Sequence, residues 1–216
     1  MFLVSPRLKF TGLLSRNTAD WINSSSWSGF LQDAYLNEEG DNVADQPQPI
    51  VTIYGNSDSG KTKLVVDLVK EFSEEKLKVC TIKHSPSKLS LDEEGKDSWK
   101  HKKAGSRLTV LATEVETSFL VPHEMKLEEI EETLAKIGGV DLIIAEGYKD
   151  ADVPKVAVGG VKTRDRTLHQ YDGDFAELKR KIYELIDLKE IEAELPGIDC
   201  GRCGYDNCEE LSEAIL

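Results

Sequence analysis

The feature that most constrains the fold of this chain is the segment from Gly55 to Thr62, which reads GNSDSGKT. It matches the phosphate-binding pattern G-x-x-x-x-G-K-[ST] at every fixed position. The segment follows an apolar, β-rich stretch at residues 50–54 and precedes a helical apolar pattern from about Lys61 to Glu74. A strand that passes through such a loop into a helix predicts a P-loop domain that binds a nucleoside triphosphate.

The residue types of this loop suit phosphate binding. Backbone N–H groups must approach a phosphate closely, so Gly55 and Gly60 are expected where a Cβ atom would clash, and the following helix directs its N-terminus at the anion. Lys61 would reach the β- and γ-phosphates, and the Thr62 hydroxyl would bind Mg²⁺. The residues predicted to bind the nucleotide are Gly55, Asn56, Ser57, Asp58, Ser59, Gly60, Lys61, Thr62 and Lys63.

A second metal ligand is expected after another buried strand. Residues 142–145 are all apolar and lead into Glu146. This position would lie at the carboxyl edge of a doubly wound sheet, where ligands bind. Glu146 is therefore predicted to hold Mg²⁺ together with Thr62, directly or through water. The alternative is a solvated acid after a strand.

Strand and helix patterns alternate along the chain from residue 50 onward. The strands are near-continuous apolar runs, which are typical of a parallel sheet buried on both faces. The predicted fold class is α/β: a P-loop NTPase with a mostly parallel, doubly wound sheet and a small cysteine-rich C-terminal tail. We predict a P-loop domain at 49–190 and the tail at 191–216. Residues 1–48 are predicted to be a weakly ordered extension, because no helical or strand period persists there.

Composition and charge argue against several functions. The 216 residues carry 27 Lys and Arg against 40 Asp and Glu, a net charge of −13. This balance argues against a general nucleic-acid binder, since little would drive counterion release. No stretch reaches the roughly 18 uninterrupted apolar residues of a membrane helix, so no membrane association is expected. With no secretory signal pattern, we expect a reducing, cytoplasmic location; the acid-free start before Asp20 is a weak signal for the alternative, an organelle transit peptide.

A cysteine motif, C-x-x-C-G-x-x-x-C, lies near the C-terminus. Thiolates at this spacing can wrap one iron–sulfur cluster, and the stretch resembles the small four-iron, four-sulfur domain of anaerobic electron-transfer and corrinoid proteins. That domain has a fourth cysteine farther downstream, so truncation, a ligand from elsewhere and a degenerate module are the alternatives. Zinc is the rival metal, and Cys80, alone in an apolar segment, is expected to be inert. The predicted cluster ligands are Cys200, Cys203 and Cys208.

The loop after the second predicted strand carries charges of both signs at residues 92–97. Such a loop could close over the γ-phosphate as a switch. It could equally be a solvated charged turn, and composition leaves both interpretations open. Asp92 is predicted to be catalytic together with Lys61.

Several stretches taken together resemble the molybdopterin-guanine dinucleotide biosynthesis protein B family, the GTP-binding adaptors of molybdenum and tungsten cofactor maturation. These stretches are the P-loop, TIKH at 81–84, DEEGKDSW at 92–99, AGS at 104–106, AEGYK at 145–149 and PKV at 154–156. The resemblance implies a homodimeric P-loop protein that binds GTP with Mg²⁺ and is at most a slow GTPase. It implies two partners, the pterin cofactor and the molybdenum cofactor guanylyltransferase that joins GMP to it. It also implies nucleotide-site, pterin-site or switch roles for Lys83, His84, Asp92, Gly95, Lys96, Asp97, Glu146 and Lys149.

Some residues depart from the family pattern. Residues 85–87 read SPS where the family often has further histidines, and Lys63 stands where threonine is usual. The N-K-x-D guanine motif does not occur in the sequence. Guanine in preference to adenine is therefore implied by the resemblance alone, with Asp165 as a candidate substitute.

Two other functions stay open. A small-molecule or nucleoside kinase would need a catalytic base facing an acceptor pocket and an arginine-rich lid. The sequence has no arginine between Arg107 and Arg164, so it supplies such a lid poorly. A metallochaperone-type GTPase for nickel, or a cluster scaffold, would need histidine or cysteine ligands near the P-loop, and His84 alone is thin support.

Overall fold

The structure is a computed structural model that describes residues 48–88 and 90–216. The predicted N-terminal extension therefore lies outside the described residues, apart from Gln48. Within the described ranges the chain forms seven strands and five helices. In chain order these elements are β1 (Ile50–Gly55), α1 (Lys61–Glu74), β2 (Val79–Lys83), α2 (Asp97–Lys103), β3 (Thr109–Ala112), β4 (Thr117–Leu120), α3 (Leu127–Ile137), β5 (Leu142–Glu146), β6 (Lys155–Val158), β7 (Thr167–Tyr171), α4 (Phe175–Glu194) and α5 (Cys208–Ile215).

Five of the described strands form one sheet in the order β2-β5-β1-β6-β7, and all of its neighbouring pairs are parallel. This confirms the predicted α/β class with a parallel sheet. The strand β5 lies between β1 and β2, and its last residue, Glu146, is in register with Ile53 on one side and Lys83 on the other. The carboxyl ends of these three strands thus meet at one edge of the sheet, beside the P-loop.

Both faces of the sheet are covered, which is why its strands are apolar runs. The helices α1 and α4 pack on one face, where Leu68, Phe72, Leu178 and Ile182 are fully buried. The helix α3 covers part of the other face through Leu127. The predicted helix from about Lys61 to Glu74 is confirmed at both ends, and the glycine stop after Ile137 is confirmed as well.

Three details differ from the sequence-based expectations or go beyond them. The apolar strands β3 and β4 pair with each other as an antiparallel hairpin apart from the main sheet. The strand β7 has no long apolar run, because it is half-buried at the edge of the sheet, and its sequence did not predict it. The helix α4 continues to Glu194, past the predicted domain boundary at 190, and α5 of the cysteine tail packs against it.

Among the described residues, no helix combines the length and apolar character that crossing a membrane would require.

Candidate functional site

The P-loop needs its two glycines for different reasons. A Cβ atom on Gly55 would lie 2.3 Å from the carbonyl oxygen of Val158, so the close contact is with the neighbouring strand β6. Gly60 has open space around it but adopts φ +91°, a conformation that other residues rarely take. The sequence-based reasoning assigned both glycines to phosphate clearance; the structure instead shows strand packing at one and a left-handed turn into α1 at the other.

A buried hydroxyl lies inside this loop. The Oγ atom of Ser59 is shielded from solvent and has no hydrogen-bond partner among the described residues. The loop after β6 packs closely against Ser59, since a Cβ atom on Gly159 would lie 2.6 Å from the Cβ atom of Ser59. Buried polar atoms are nearly always paired, so the Ser59 hydroxyl keeps unused hydrogen-bonding capacity within the P-loop.

The predicted metal ligands are brought together. The Thr62 hydroxyl donates a hydrogen bond to Oε2 of Glu146 at 2.9 Å, and the Lys83 ammonium donates to Oε1 of the same carboxylate at 2.6 Å. The P-loop lysine, Lys61, donates to the carbonyl oxygen of Asn56 within its own loop. A hydroxyl and a carboxylate oxygen at the start of α1 and the end of β5 are the hard oxygen donors that suit Mg²⁺.

The Glu146 carboxyl is held in its ionised form. Burial by itself would raise its pKa, but the hydrogen bonds from Lys83 and Thr62 and the nearby charges outweigh burial, so the pKa lies below its ordinary value. The stabilisation from these contacts is therefore fully present at neutral pH. It would be lost only as the pH falls through the lowered folded-state pKa. The acid is thus available to a cation throughout the physiological range.

A cavity of about 1070 Å³ opens beside the P-loop and extends over the carboxyl edge of the sheet. The rings of His84 and Tyr148 lie in it with their centroids 4.6 Å apart. Gly147 permits this arrangement, since it adopts φ +111° and a Cβ atom there would lie 3.1 Å from the Cβ atom of His84. The cations that line the cavity besides the P-loop lysine are Lys126, Lys149, Lys162 and Arg164.

The predicted switch residues are held by neighbours in the same loop and in α2. The Asp92 carboxylate, 4% exposed, lies 2.8 Å from the Lys102 ammonium and accepts a hydrogen bond from Ser98 at 2.8 Å. The hydrogen bond from Lys102 lowers the pKa of Asp92. Lys96 pairs with its neighbour Glu93 at 3.6 Å and Asp97 with Lys100 at 2.9 Å, while Gly95 makes the tight turn before α2 at φ +87°. The catalytic and switch roles of this segment stay predictions.

Other predicted contacts are placed as follows. Lys63 points along α1 to Asp67, 2.6 Å away, and its side chain is 81% exposed. Asn56 and Ser57 line the cavity, and Asp58 adopts φ +58° at the tip of the P-loop. Asp165 is not among the cavity-lining residues, and its carbonyl oxygen accepts a hydrogen bond from Lys155.

Two further residues fix the segments beside the cavity, and the sequence reasoning missed them. The Tyr54 hydroxyl lies 3.0 Å from Oγ1 of Thr167 and accepts a hydrogen bond from the Arg164 amide, so it ties the loop after β6 to the strand before the P-loop. The Lys155 ammonium is almost fully buried and donates to the carbonyl oxygens of Val153 and Asp165. A lysine that opens an apolar strand directly after a proline was the available signal for the second residue.

The three cysteines of the tail are all free thiols. Cys200 and Cys203 are exposed, and Cys208 is half-buried at the start of α5, where its amide donates to Oδ1 of Asp199 at 2.8 Å. Across residues 48–88 and 90–216, no three His, Cys, Asp or Glu side chains converge as metal ligands. Thiols are suitable ligands for a metal or a cluster, but the side chains of the three cysteines do not converge on one site in the described part of the chain. Burial raises the pKa of the Cys80 thiol, which fits its expected inertness.

A parallel sheet whose central strand ends in a G-x-x-x-x-G-K-T loop, with a carboxylate one strand away, defines a P-loop nucleotide-binding protein. The family model "Molybdopterin guanine dinucleotide synthesis protein B" matches residues 50–175. The chain belongs to this family. A second model, "Putative Fe-S cluster", matches residues 195–216.

Relatives with curated names are similar to much of the chain. One from Methanocaldococcus jannaschii, named "Putative molybdopterin-guanine dinucleotide biosynthesis adapter protein", is 30% identical over 181 residues, which cover 77% of this chain and 72% of that protein. The adapter protein of Haemophilus influenzae is 36% identical over 114 residues, covering 50% of this chain and 61% of the relative. The crystal structure of Bacillus subtilis MobB is 27% identical, with a TM-score of 0.46 over 53% of this chain and 69% of that one.

We predict that Gly159→Ala disrupts the P-loop more than Gly160→Ala does. Both glycines have positive φ, so each alanine should cost about 1–2 kcal/mol of backbone strain. Only at Gly159 would the new Cβ atom also overlap Ser59, at 2.6 Å, whereas nothing lies within 4 Å at Gly160. Urea unfolding should therefore show the larger loss of stability in Gly159→Ala, together with weaker thermal stabilisation by GTP. Equal losses in the two variants would contradict the packing role of Gly159.

Proposed function

We propose that this protein is a GTP-binding adapter in molybdopterin-guanine dinucleotide biosynthesis, which assists the attachment of GMP to the pterin or the delivery of the product. The observation that carries this proposal is the hydrogen bond of 2.9 Å between Thr62 and Glu146 at the mouth of the P-loop. It brings together a hydroxyl and a carboxylate, the oxygen donors that a nucleotide-bound Mg²⁺ would use, and so supports the proposal. Membership of the family supports the pathway, and the names of the curated relatives support the adapter role.

In this proposal Lys61 and the P-loop amides hold the phosphates of GTP, and Thr62 and Glu146 hold Mg²⁺. The metal would neutralise charge on the phosphates when it is bound. Asp92, the predicted catalytic acid, is nearly buried and engaged by Lys102 and Ser98. This engagement favours binding over rapid turnover, in agreement with an adapter that hydrolyses GTP slowly at most. We place the protein in the cytoplasm as part of the same proposal.

The cavity beside the P-loop suits a second, anionic and aromatic ligand, for which the pterin is our proposal. A planar ring could stack on the His84 and Tyr148 pair, and Lys149 lies on the same wall for a phosphate group. The volume of about 1070 Å³ exceeds what a triphosphate alone would need. The cavity is open on one side, so the guanylyltransferase that we propose as partner could reach both ligands.

The two alternative functions have less support. A kinase would need a free base that faces an acceptor, and Arg164, the arginine of the cavity wall, is already paired with Asp150. A metallochaperone would need histidine or cysteine ligands near the P-loop, and of the residues that line the cavity only His84 is of this kind, with its ring against Tyr148. The adapter function therefore fits the described contacts better.

The test of the nucleotide site is thermal stabilisation by GTP, ATP and molybdopterin on the same sample. A ligand at 100 times its Kd should add about 2.7 kcal/mol to the free energy of unfolding. We expect GTP with Mg²⁺ to stabilise the wild type and Lys70→Ala, an exposed control on α1, but not Lys61→Ala. Equal stabilisation of Lys61→Ala would refute the P-loop assignment. Equal responses to ATP and GTP would refute the guanine preference.

We also propose a homodimer that forms through the hairpin of β3 and β4. Val110 and Phe119 are paired across the hairpin yet remain 48% and 59% exposed. Leu108 and Val121 lie two residues from Val110 and Phe119 on the same face of the hairpin, and they are 48% and 40% exposed. An isolated two-stranded hairpin is marginally stable in water, and its open edges readily pair with another chain. A second copy of the protein would cover this surface.

A charge placed in the hairpin should dissociate the dimer. We predict that Phe119→Asp shifts the protein to monomer in sedimentation equilibrium, because the carboxylate would be buried at the interface. Val66→Asp, at a residue of α1 that is 59% exposed and outside the hairpin, is the matched control and should leave the dimer intact. A monomeric wild type, or a dimer unaffected by Phe119→Asp, would exclude the hairpin interface.

For the tail we propose an iron–sulfur cluster held by Cys200, Cys203 and Cys208. The match of the family model to residues 195–216 and the accessibility of two of the three thiols support this. Gly201 and Gly204 have positive φ and little around them, which leaves room for the loop to wrap a cluster. The fourth ligand is not assigned.

Protein purified without oxygen should be brown, with about four iron atoms and four sulfides per chain, or per pair of chains if the cluster is shared. We predict that Cys203→Ser lowers both contents, because a thiolate ligand is lost, whereas Cys80→Ser leaves them unchanged. Metal analysis by mass spectrometry and the visible absorption spectrum report the result. A colourless, zinc-loaded protein would overturn the cluster in favour of zinc.

A further inference from the structure

The Glu146 carboxylate divides its two oxygens between two donors. Oε2 accepts from the Thr62 hydroxyl and Oε1 accepts from the Lys83 ammonium. The acid is nearly buried, with 12% of its side chain exposed, whereas the Lys83 side chain is 61% exposed. The pair also joins two neighbouring strands, because Lys83 at the end of β2 is in register with Glu146 at the end of β5.

Such a carboxylate needs a counter-charge. A nearly buried acid without a partner would be costly, and a positively charged hydrogen-bond donor removes that cost. The other lysine near Glu146 does not provide this contact, since Lys61 donates to the carbonyl oxygen of Asn56. Lys83 is therefore the cation that directly satisfies Glu146 in this structure.

We propose that Lys83 is a placeholder for the metal: it occupies Glu146 in the metal-free protein and releases it when Mg²⁺ binds, so that it sets the metal affinity of the site. The inference rests on the proposed metal site at Thr62 and Glu146. A divalent cation on Glu146 would stand within a few ångströms of the ammonium, and the two like charges repel strongly at that distance in a partly buried site. The exposure of Lys83 lets its side chain leave without disturbing the core.

Lys83 lies next in the chain to a residue of the cavity wall, so its movement would be felt at the neighbouring cavity. The next residue, His84, donates its amide to the carbonyl oxygen of Glu146 at 2.9 Å, and its ring contacts Tyr148 in the cavity wall. The backbone of this segment is thus held to β5 while the Lys83 side chain is free to turn. Metal binding would release a cation one residue away from the wall on which we propose that an anionic ligand binds.

The experiment compares Lys83→Met, Lys83→Arg and Lys70→Met, the last an exposed lysine on α1 whose partner is Glu74. The first measurement is the melting temperature in EDTA and in a series of Mg²⁺ concentrations without nucleotide. We expect Lys83→Met to melt lower than the wild type in EDTA and to regain the difference with Mg²⁺, because the metal replaces the missing charge. Lys83→Arg and Lys70→Met should behave like the wild type. A loss in Lys83→Met that Mg²⁺ does not restore, or no loss at all, would overturn the proposal.

The second measurement is the Mg²⁺ concentration that half-saturates binding of a fluorescent GDP analogue. Removal of the competing charge should lower it about tenfold in Lys83→Met, which corresponds to about 1.4 kcal/mol. An unchanged or higher value would overturn the placeholder role. Failure of the proposed nucleotide site would look different, since the wild type would then bind no GDP analogue at any Mg²⁺ concentration, while the melting series would still decide the role of Lys83.

Discussion

The parallel pairing of β5 between β1 and β2 is the constraint on which the rest of the site depends. It sets the last residue of β5 in register with both neighbours, so Glu146 lies beside the P-loop on one side and beside Lys83 on the other. Thr62 at the start of α1 then reaches Glu146 across the carboxyl edge of the sheet. A shift of one residue in this register would turn the carboxylate to the opposite face and remove it from both partners.

The same edge joins two kinds of chemistry. The predicted phosphate site relies on backbone geometry, because Gly55 is packed against β6 and Gly60 takes a left-handed turn, so neither can be exchanged for a larger residue without strain. The proposed metal site relies on charge: burial would raise the pKa of Glu146, but the hydrogen bonds from Lys83 and Thr62 lower it, so the carboxylate stays ionised. Lys83 links the proposed metal site to the adjoining cavity. It pairs with Glu146, and the next residue, His84, lines that cavity. The negative charge of Glu146 is therefore already balanced by Lys83 before any ligand binds.

The tail and the hairpin extend the core in different ways. The helix α5 packs on α4, and Arg166 in the turn before β7 pairs with Glu209 at 2.8 Å, so the cysteine segment is attached to the P-loop domain through helix packing and an ion pair. The hairpin of β3 and β4 leaves apolar side chains in solvent. The tail thus contributes free thiols, and the hairpin contributes an exposed apolar surface.

Elements whose physical cause is local could be predicted from the sequence. They are the P-loop, the helix from Lys61 to Glu74, the apolar runs of β1 and β5 and the acid after β5, which follow from residue types at fixed spacing, and family membership followed from the same motifs. The contacts between side chains could not be predicted in this way, because they depend on how distant segments pack. The pairing of Lys83 with Glu146 joins residues that are distant in the chain, and the capture of Asp92 by Lys102 depends on how a loop folds back on α2. The edge strand β7 was missed for a related reason: a half-buried strand owes its structure to the strand beside it, and that neighbour is set by the fold and not by local propensity.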